Sequence, residues 1–251
     1  MLSTRNKSFV IVSGGSSGIG ENIVETLLKE TQHTVISISR TGKKEHPRLI
    51  NIAHDFSKEM DALPKKIIPI IEKGFIAALI NNVGKSSWKS MSDINHHFFQ
   101  ELMNINVYSA IELTKLSIPH MKKGSAVINI SSIAGKRGTA NNSIYCATKF
   151  AMEGLLRVWT VEFGKLDIRV NNICPVLIET EGLRDALEER SAPGRVAGAS
   201  TFIDNFARNQ SPLGRLPEVA DVSGLLIYLI SPQACSITGQ SINIDCGVFP
   251  G

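Results

Sequence analysis

Phe9-Val10-Ile11-Val12-Ser13-Gly14-Gly15-Ser16-Ser17-Gly18-Ile19-Gly20 decides how the rest of the chain reads. The first four residues are apolar, three of them β-branched, and read as a strand. A turn of small residues follows. Ile19, Ile23, Val24, Leu27 and Leu28 then recur at helical spacing over 18–30. Glycine permits a tight turn and lets backbone approach a ligand closely. The helix that opens here presents unpaired N–H groups and the positive end of its dipole. Strand, glycine turn and helix in that order suit a pyrophosphate. The spacing is Gly14-x3-Gly18-x-Gly20, which differs from the common GxGxxG pattern.

Outward from this unit, strands read at Thr34–Ser39, Leu49–Ala53, Ile76–Ile80, Ala126–Ile130, Arg169–Ile173 and Gln240–Ile244. Helices read over 58–73, broken or kinked by Pro64 and Pro69, and over 96–120 and 143–163. The alternation predicts an α/β fold: a doubly wound Rossmann-type domain with a mainly parallel, seven-stranded sheet covered on both faces. No internal repeat or low-complexity linker interrupts residues 1–251, so one domain is expected. Residues 181–212 break the rhythm with charge, Gly, Ser and Ala. This stretch reads as a substrate lid, or else as a solvated excursion.

Composition sets the limits. The 251 residues are 43% hydrophobic and 20% charged, which excludes a disordered chain and a collagen repeat. Net charge is +4, from 27 Lys+Arg against 23 Asp+Glu, and it is dispersed. Nucleic acid would call for a concentrated basic face. Cys146, Cys174, Cys235 and Cys246 contain no CxxC pair and are too sparse for a disulfide framework. The six histidines show no ligand spacing, so no catalytic metal is expected. No apolar run reaches the ~18 residues that span a bilayer. The run at 9–12 is too short for a signal-peptide core. A cytoplasmic protein without membrane or nucleic-acid partners is the expectation.

Five further motifs stand in order: Asn81-Asn82-Val83-Gly84, Asn129-Ile130-Ser131-Ser132, Tyr145-x3-Lys149, Pro175-Val176-Leu177-Ile178-Glu179-Thr180, and Ile237-Thr238-Gly239-Gln240 with Asp245-Cys246-Gly247. With the glycine turn, the set resembles the short-chain dehydrogenase/reductases over residues 8–248. It is similar in particular to the 3-oxoacyl-[acyl-carrier-protein] reductase-like members. Ser13 stands where that family usually has Thr, Val83 where it has Ala, and Val176 where it has Gly. Lys165-Leu166-Asp167, the neighbourhood used for docking an acidic carrier, is ambiguous here.

Tyr145 and Lys149 are four apart, so one helix face carries both. An ammonium beside a phenol favours tyrosinate, so a lowered Tyr145 pKa is expected. The resemblance implies hydride transfer between a nicotinamide and a carbonyl or secondary alcohol, with Tyr145 as general acid/base. It implies that Ser132 stabilises the carbonyl oxygen, that Lys149 also holds the nicotinamide ribose, and that Asn106 positions a water for a proton relay. Asn104 is a nearby alternative to Asn106.

The resemblance also implies the cofactor contacts. Gly14, Ser16, Ser17, Gly18, Ile19 and Gly20 would hold the pyrophosphate side, and Asp55 and Phe56 the adenine. Asn82, Val83 and Gly84 would line a ribose, with Tyr145 and Lys149. Pro175, Ile178 and Thr180 would sit at the carboxamide. Asp55 reads equally as a helix cap. The second strand ends in Ser39-Arg40, followed by Lys43 and Lys44, where an NAD enzyme would carry an acid. A guanidinium suits a 2′-phosphate, so NADP is expected over NAD. Ser17 counts against this, because many NADP members place a second basic residue there.

The expected partner is a small carbonyl or alcohol substrate. Ser86, Ser87, Trp88, Ile133, Ala134, Asn141, Asn142 and 181–212 are its candidate walls. Phe202 and Phe206 could enclose it or simply pack the lid. Lys136 and Arg137 could meet an anion or face solvent. The alternatives are an NAD-dependent, hydroxysteroid-like alcohol dehydrogenase and a non-catalytic dinucleotide sensor. The resemblance implies a homotetramer or homodimer, with helices 96–120 and 143–163 as the interface; Ile111, Leu116, Leu155 and Trp159 are candidate interface residues, though periodicity does not separate interface from core.

Overall fold

The computed structural model describes residues 7–42, 44–58 and 60–250. Its strands are β1 (Lys7–Ser13), β2 (Thr34–Ser39), β3 (Leu49–Ala53), β4 (Gly74–Asn81), β5 (Met121–Ile130), β6 (Arg169–Pro175) and β7 (Ser241–Ile244). They form one sheet in the order β3-β2-β1-β4-β5-β6-β7, and every neighbouring pair is parallel. The seven strands match the sequence reading, and the sheet is wholly rather than mainly parallel. The order reverses between β1 and β4, where ligands bind in such sheets.

Alternation along β1 sorts the core. Phe9 and Ile11 belong with Ile36, Leu63, Ile67, Leu113 and Leu156. Val10 and Val12 belong with Ile23, Leu27, Val222 and Leu226. A strand apolar throughout is what a sheet covered on both faces requires. The first face carries α2 (Ala62–Ile71), α4 (Ser109–Ser117) and α5 (Ser143–Gly164), and the second α1 (Gly18–Glu30) and α8 (Val219–Ile230).

Three helical regions differ from the sequence reading. First, α2 runs through both prolines. Pro64 lies in its first turn, where no donor is needed, and Pro69 forgoes one bond. Second, 96–120 is not one regular helix. It is α3 (His96–Met103), a π-helical turn Asn104–Tyr108, α4 and a short 3-10 turn Ile118–His120. Third, α8 has no counterpart in the sequence reading. Its Leu225–Ile230 run is continuously apolar, so period alone does not mark a helix. Burial does, at Val222, Leu226 and Leu229. Glu218 and Asp221 form a capping box at its start, and Ser223 Oγ donates to Asn22 Oδ1 on α1 at 2.7 Å.

Asn81, Asn129 and Asn172 are register partners near the carboxyl ends of β4, β5 and β6. Asn81 Nδ2 donates to Asn129 Oδ1 at 2.9 Å and to Thr114 Oγ1 at 3.1 Å. Asn129 Nδ2 donates to Asn172 Oδ1, and Asn172 Nδ2 to Glu153 Oε1 on α5, both at 2.9 Å. Asn129 is wholly buried, so its removal leaves Asn172 Oδ1 without its donor. Asn129→Ala is expected to lower stability by about 2–4 kcal/mol. That is a Tm loss of roughly 5–15 °C by thermal unfolding; a loss under ~2 °C would show the ladder to be decorative.

Candidate active site

The glycine turn is built around one hydroxyl. Ser13 Oγ accepts from the N–H groups of Asn82 and Val83, both at 3.0 Å. Asn82 Nδ2 returns bonds to Ser13 O at 2.9 Å and Gly14 O at 3.2 Å. The ends of β1 and β4 are thereby fastened, and serine supplies the oxygen that threonine would. Gly14 and Gly18 adopt φ of +71° and +54°, which favour glycine. A Cβ on Gly20 would lie 2.1 Å from Gly14 O. Ser17 precedes α1 in extended conformation without a side-chain cap, leaving first-turn N–H groups for a ligand.

The turn opens into a cleft of about 1010 Å³. Gly14, Ser16, Ser17, Gly18, Ile19, Gly20, Ser39, Arg40, Asp55, Phe56, Asn82, Val83, Gly84, Ser132, Tyr145, Lys149, Pro175, Ile178 and Thr180 all line it. Of the expected catalytic and cofactor residues, only Asn106 lies behind the wall; of the expected substrate walls, Ser86, Trp88, Ile133, Ala134 and Asn142 line the cleft, and Ser87 and Asn141 do not. A Cβ on Gly84 would sit 3.6 Å from both Asn106 Oδ1 and Lys149 Nζ, so both groups border Gly84. Asn106 is buried in the π-helical turn, while Asn104 is exposed. Asn106 Oδ1 accepts from Lys85 N at 2.7 Å, and its Nδ2 donates to Lys85 O and Thr148 Oγ1, both at 3.0 Å.

At the far end, Ser39 is buried and its hydroxyl donates to Thr41 O at 2.9 Å. Arg40 is exposed at the rim, with no ion pair among the described residues. Lys44 turns instead to Glu21 and Glu25 on α1. Lys43 lies outside the described residues. Asp55 Oδ1 accepts from Ser57 N at 3.0 Å and Ser57 Oγ at 2.8 Å, which holds its carboxyl below the usual range. It closes the turn after β3 and is not the cap of α2, which is Asp61. Val176 keeps the Pro175–Thr180 loop against the cleft without a positive φ. Thr180 Oγ1 caps α6 (Glu181–Leu187), the first helix of the 181–212 segment, by accepting from Leu183 N at 3.2 Å.

Ser132, just past β5, accepts from Ala134 N at 3.1 Å and donates to Pro175 O at 3.4 Å. Tyr145 and Lys149 project from α5 into the same cleft. Burial pushes the Tyr145 phenol up to about 12, against the pull of its hydrogen bond with Ser132. The expected lowering by Lys149 is not found in the free protein. Lys149 Nζ lies 5.7 Å from the ring centroid and donates instead to Ile130 O at 2.9 Å. Burial also brings Lys149 down to about 8, against the fields of Cys174 and Glu153.

Two residues here were not singled out by sequence. Glu153 accepts from Ser131 Oγ at 3.1 Å, Asn172 Nδ2 at 2.9 Å and Cys174 Sγ at 3.6 Å. Its spacing of four from Lys149 was the available signal. Glu189, in the lid, accepts from Ser87 Oγ at 2.8 Å and Trp88 N at 2.6 Å. The rest of 181–212 is turns and α7 (Ala199–Gln210), and Phe202 and Phe206 line the cleft from it. Lys136 is committed to Ser241 O and Asn243 Oδ1, both at 2.6 Å. Among the described residues no group of three His, Cys, Asp or Glu is placed to hold a metal, and no helix is long and apolar enough to cross a membrane.

A family model described as Enoyl-(Acyl carrier protein) reductase matches residues 14–249. The sorbitol-6-phosphate 2-dehydrogenase of Klebsiella pneumoniae is 30% identical, over 96% of each chain. A short chain dehydrogenase family protein from Francisella tularensis superposes with a TM-score of 0.87 at 25% identity, over 97% of this chain and 98% of the other. A 4-hydroxyisoleucine dehydrogenase complexed with NADH gives 0.84 at 25% identity, over 98% and 100%. The chain belongs to the short-chain dehydrogenase/reductase family. It is an oxidoreductase of the alcohol/carbonyl class that uses a nicotinamide dinucleotide. The glycine cradle and the uncapped start of α1 fit that group's phosphates.

The buried Lys149 ammonium costs stability. At pH 7 it is protonated in both folded and unfolded chains, and its fall from 10.5 to about 8 amounts to about 3 kcal/mol. Above 10.5 the penalty vanishes, because both states are neutral. Lys149→Met is expected to raise Tm by several degrees at pH 7. The Tm gap should close as pH rises through 8 to 10.5. A variant less stable than wild type at pH 7 would contradict this.

Proposed function

We propose that the protein is an NADP-dependent oxidoreductase that interconverts a small ketone and its secondary alcohol. The observation that carries this reading is the convergence of Ser132, Tyr145 and Lys149 in the cleft that starts at the glycine turn. When bound, the nicotinamide supplies a hydride in reduction or accepts one in oxidation. Tyr145 donates its proton to the carbonyl oxygen, and Ser132 Oγ hydrogen-bonds the same oxygen as charge develops on it. Lys149 holds the ribose and returns a proton towards Tyr145. Asn106, close behind Gly84, orients that relay from the π-helical turn. Thr180 and Ile178 border the carboxamide, and the 181–212 segment closes over substrate.

Arg40 supports NADP, being an unpaired cation at the end of β2. One observation favours the NAD reading: the Ser39 hydroxyl is spent on Thr41, which leaves Arg40 alone for a 2′-phosphate. A cytoplasmic setting fits four free cysteines. A homodimer or homotetramer through α5 fits the exposed Phe150, Val158 and Val161 at i, i+8 and i+11. Of the interface residues expected from sequence, Trp159 is buried, and Ile111, Leu116 and Leu155 pack inward against the core.

Fluorescence titration with NADPH and with NADH tests the cofactor. NADPH is expected to bind at least about tenfold more tightly, and Arg40→Ala to remove the difference. Preference for NADH would move the assignment to an NAD-dependent dehydrogenase. Tyr145→Phe is expected to lower kcat by about 10²–10⁴-fold with cofactor affinity intact. Full turnover in that variant would refute the mechanism. Val158→Lys with Val161→Lys should yield a smaller species by light scattering if α5 forms the interface.

A further inference from the structure

Lys149 is 5% exposed, and no carboxylate among the described residues lies within ion-pair distance of its ammonium. Nζ donates to Ile130 O at 2.9 Å, a neutral partner. Buried charges are ordinarily paired, so the balancing charge has to be sought further out. Glu153 follows one turn later on the same face of α5. Its Oε1 accepts from Ser131 Oγ at 3.1 Å. Ile130 ends β5 and Ser131 follows it. Amine and carboxylate are thus drawn to consecutive residues at one strand end.

Glu153 is itself without a cation. Its donors, Ser131 Oγ, Asn172 Nδ2 and Cys174 Sγ, are all neutral groups, which stabilise a carboxylate without cancelling its charge. The other groups around Lys149 offer no negative charge near neutrality. Tyr145, one turn earlier on α5, keeps its proton, because burial pushes the phenol up to about 12. Cys174, on β6, keeps its proton too, with burial pushing the thiol up to about 11. The field of Cys146 falls on Tyr145. Asn106 Oδ1, which borders Gly84 with Lys149, is a neutral dipole. Lys85, next to Gly84, is paired with Glu101. Lys136, the cation beside Cys174, is bonded to Ser241 O and Asn243 Oδ1. Glu153 remains as the carboxylate whose field reaches Lys149.

We propose that Glu153 is a positioning residue whose carboxylate is the counter-ion of Lys149, holding its ammonium charged and in place at the end of β5. Contact is not required for this, because attraction between charges falls only as the inverse of distance and is weakly screened where water is excluded. Glu153 is half-buried, so it keeps part of its own hydration while acting on the buried amine. Its role in turnover runs through Lys149 and rests on the oxidoreductase reading above. The charge balance does not depend on that reading.

The test is a double-mutant cycle followed against pH. Lys149→Met is made in wild type, in Glu153→Asp and in Glu153→Gln, and Tm is measured from about pH 6 to about pH 10. Comparison within one background cancels any general loss that the Glu153 change causes. Because the Lys149 pKa is lowered, the Tm gain from Lys149→Met is full below about 8 and fades from there to 10.5. Loss of the carboxylate lowers the folded value further. In Glu153→Gln the gain near pH 6 is expected to be ~2–4 °C larger, and the fading to begin about one pH unit lower. Glu153→Asp keeps the charge but draws it back by a methylene, and should fall between. A purely structural role predicts the opposite rank, since glutamine preserves the shape and aspartate does not. Should Glu153→Gln fail to fold, NMR of lysine-labelled wild type and Glu153→Asp decides, with Lys149 expected to titrate at lower pH in the variant. Gains that superpose in all three backgrounds, or an unmoved titration, overturn the proposal. Failure of the oxidoreductase reading shows separately, as binding of neither NADPH nor NADH.

Discussion

The bond from Asn172 to Glu153 joins the sheet to α5, the helix that carries Tyr145 and Lys149, and the geometry of the candidate site depends on it. Parallel strands fix one another's register through backbone bonds, but these say nothing about how a helix sits on the sheet. The ladder Asn81–Asn129–Asn172 carries side-chain bonds across three wholly or nearly buried positions and ends on α5. Glu153 then takes a third donor from Ser131, the neighbour of Ser132. Ser132 on the sheet and Tyr145 on the helix are thus held by one carboxylate. The ladder satisfies every side-chain amide group of Asn129 and Asn172 and leaves only Asn81 Oδ1 without a partner among the described residues, so its bonds fix the spacing between sheet and helix.

Much of this was legible in the sequence, for local reasons. The glycine turn declares itself because its backbone tolerates nothing else, and Gly20, pressed on Gly14 O, shows why. The strands were readable because short β-branched runs lie between turn residues. Asn106 could be preferred over Asn104 only through resemblance. The physical distinction is a π-helical turn that buries one and exposes the other, and no period-3.6 pattern reports it. α8 escaped for a different reason. A continuous apolar run does not disclose whether it is strand or helix, and only packing against α1 decides. Buried Arg169, donating to Leu229 O, and half-buried Glu153 show the same limit: such charges look like surface charges until their partners are known.

The electrostatics were the least legible part. Spacing alone placed an ammonium beside a phenol and predicted an easier tyrosinate. Proximity is only one of three influences, and desolvation outweighs it here for both groups. The result has an order to it. With Lys149 near 8 and Tyr145 near 12, the amine of the free protein gives up its proton before the phenol does. At neutral pH Tyr145 holds its proton, which suits an acid more than a base.

That order bears on the proposed mechanism. There, reduction asks Tyr145 to give a proton and Lys149 to stand behind it as a charged neighbour, which is the state the free protein holds near neutrality. Oxidation asks for tyrosinate, which burial disfavours until further positive charge enters the cleft. Of the cations lining the cleft, Arg40 and Arg137 make no ion pair among the described residues, whereas the lysines around it are engaged. Lys149 is fastened to Ile130 O, Lys136 to Ser241 and Asn243, and Lys85 to Glu101. In the free protein the buried phenol stays protonated near neutrality, and tyrosinate requires a change in the field around it that the engaged lysines do not supply.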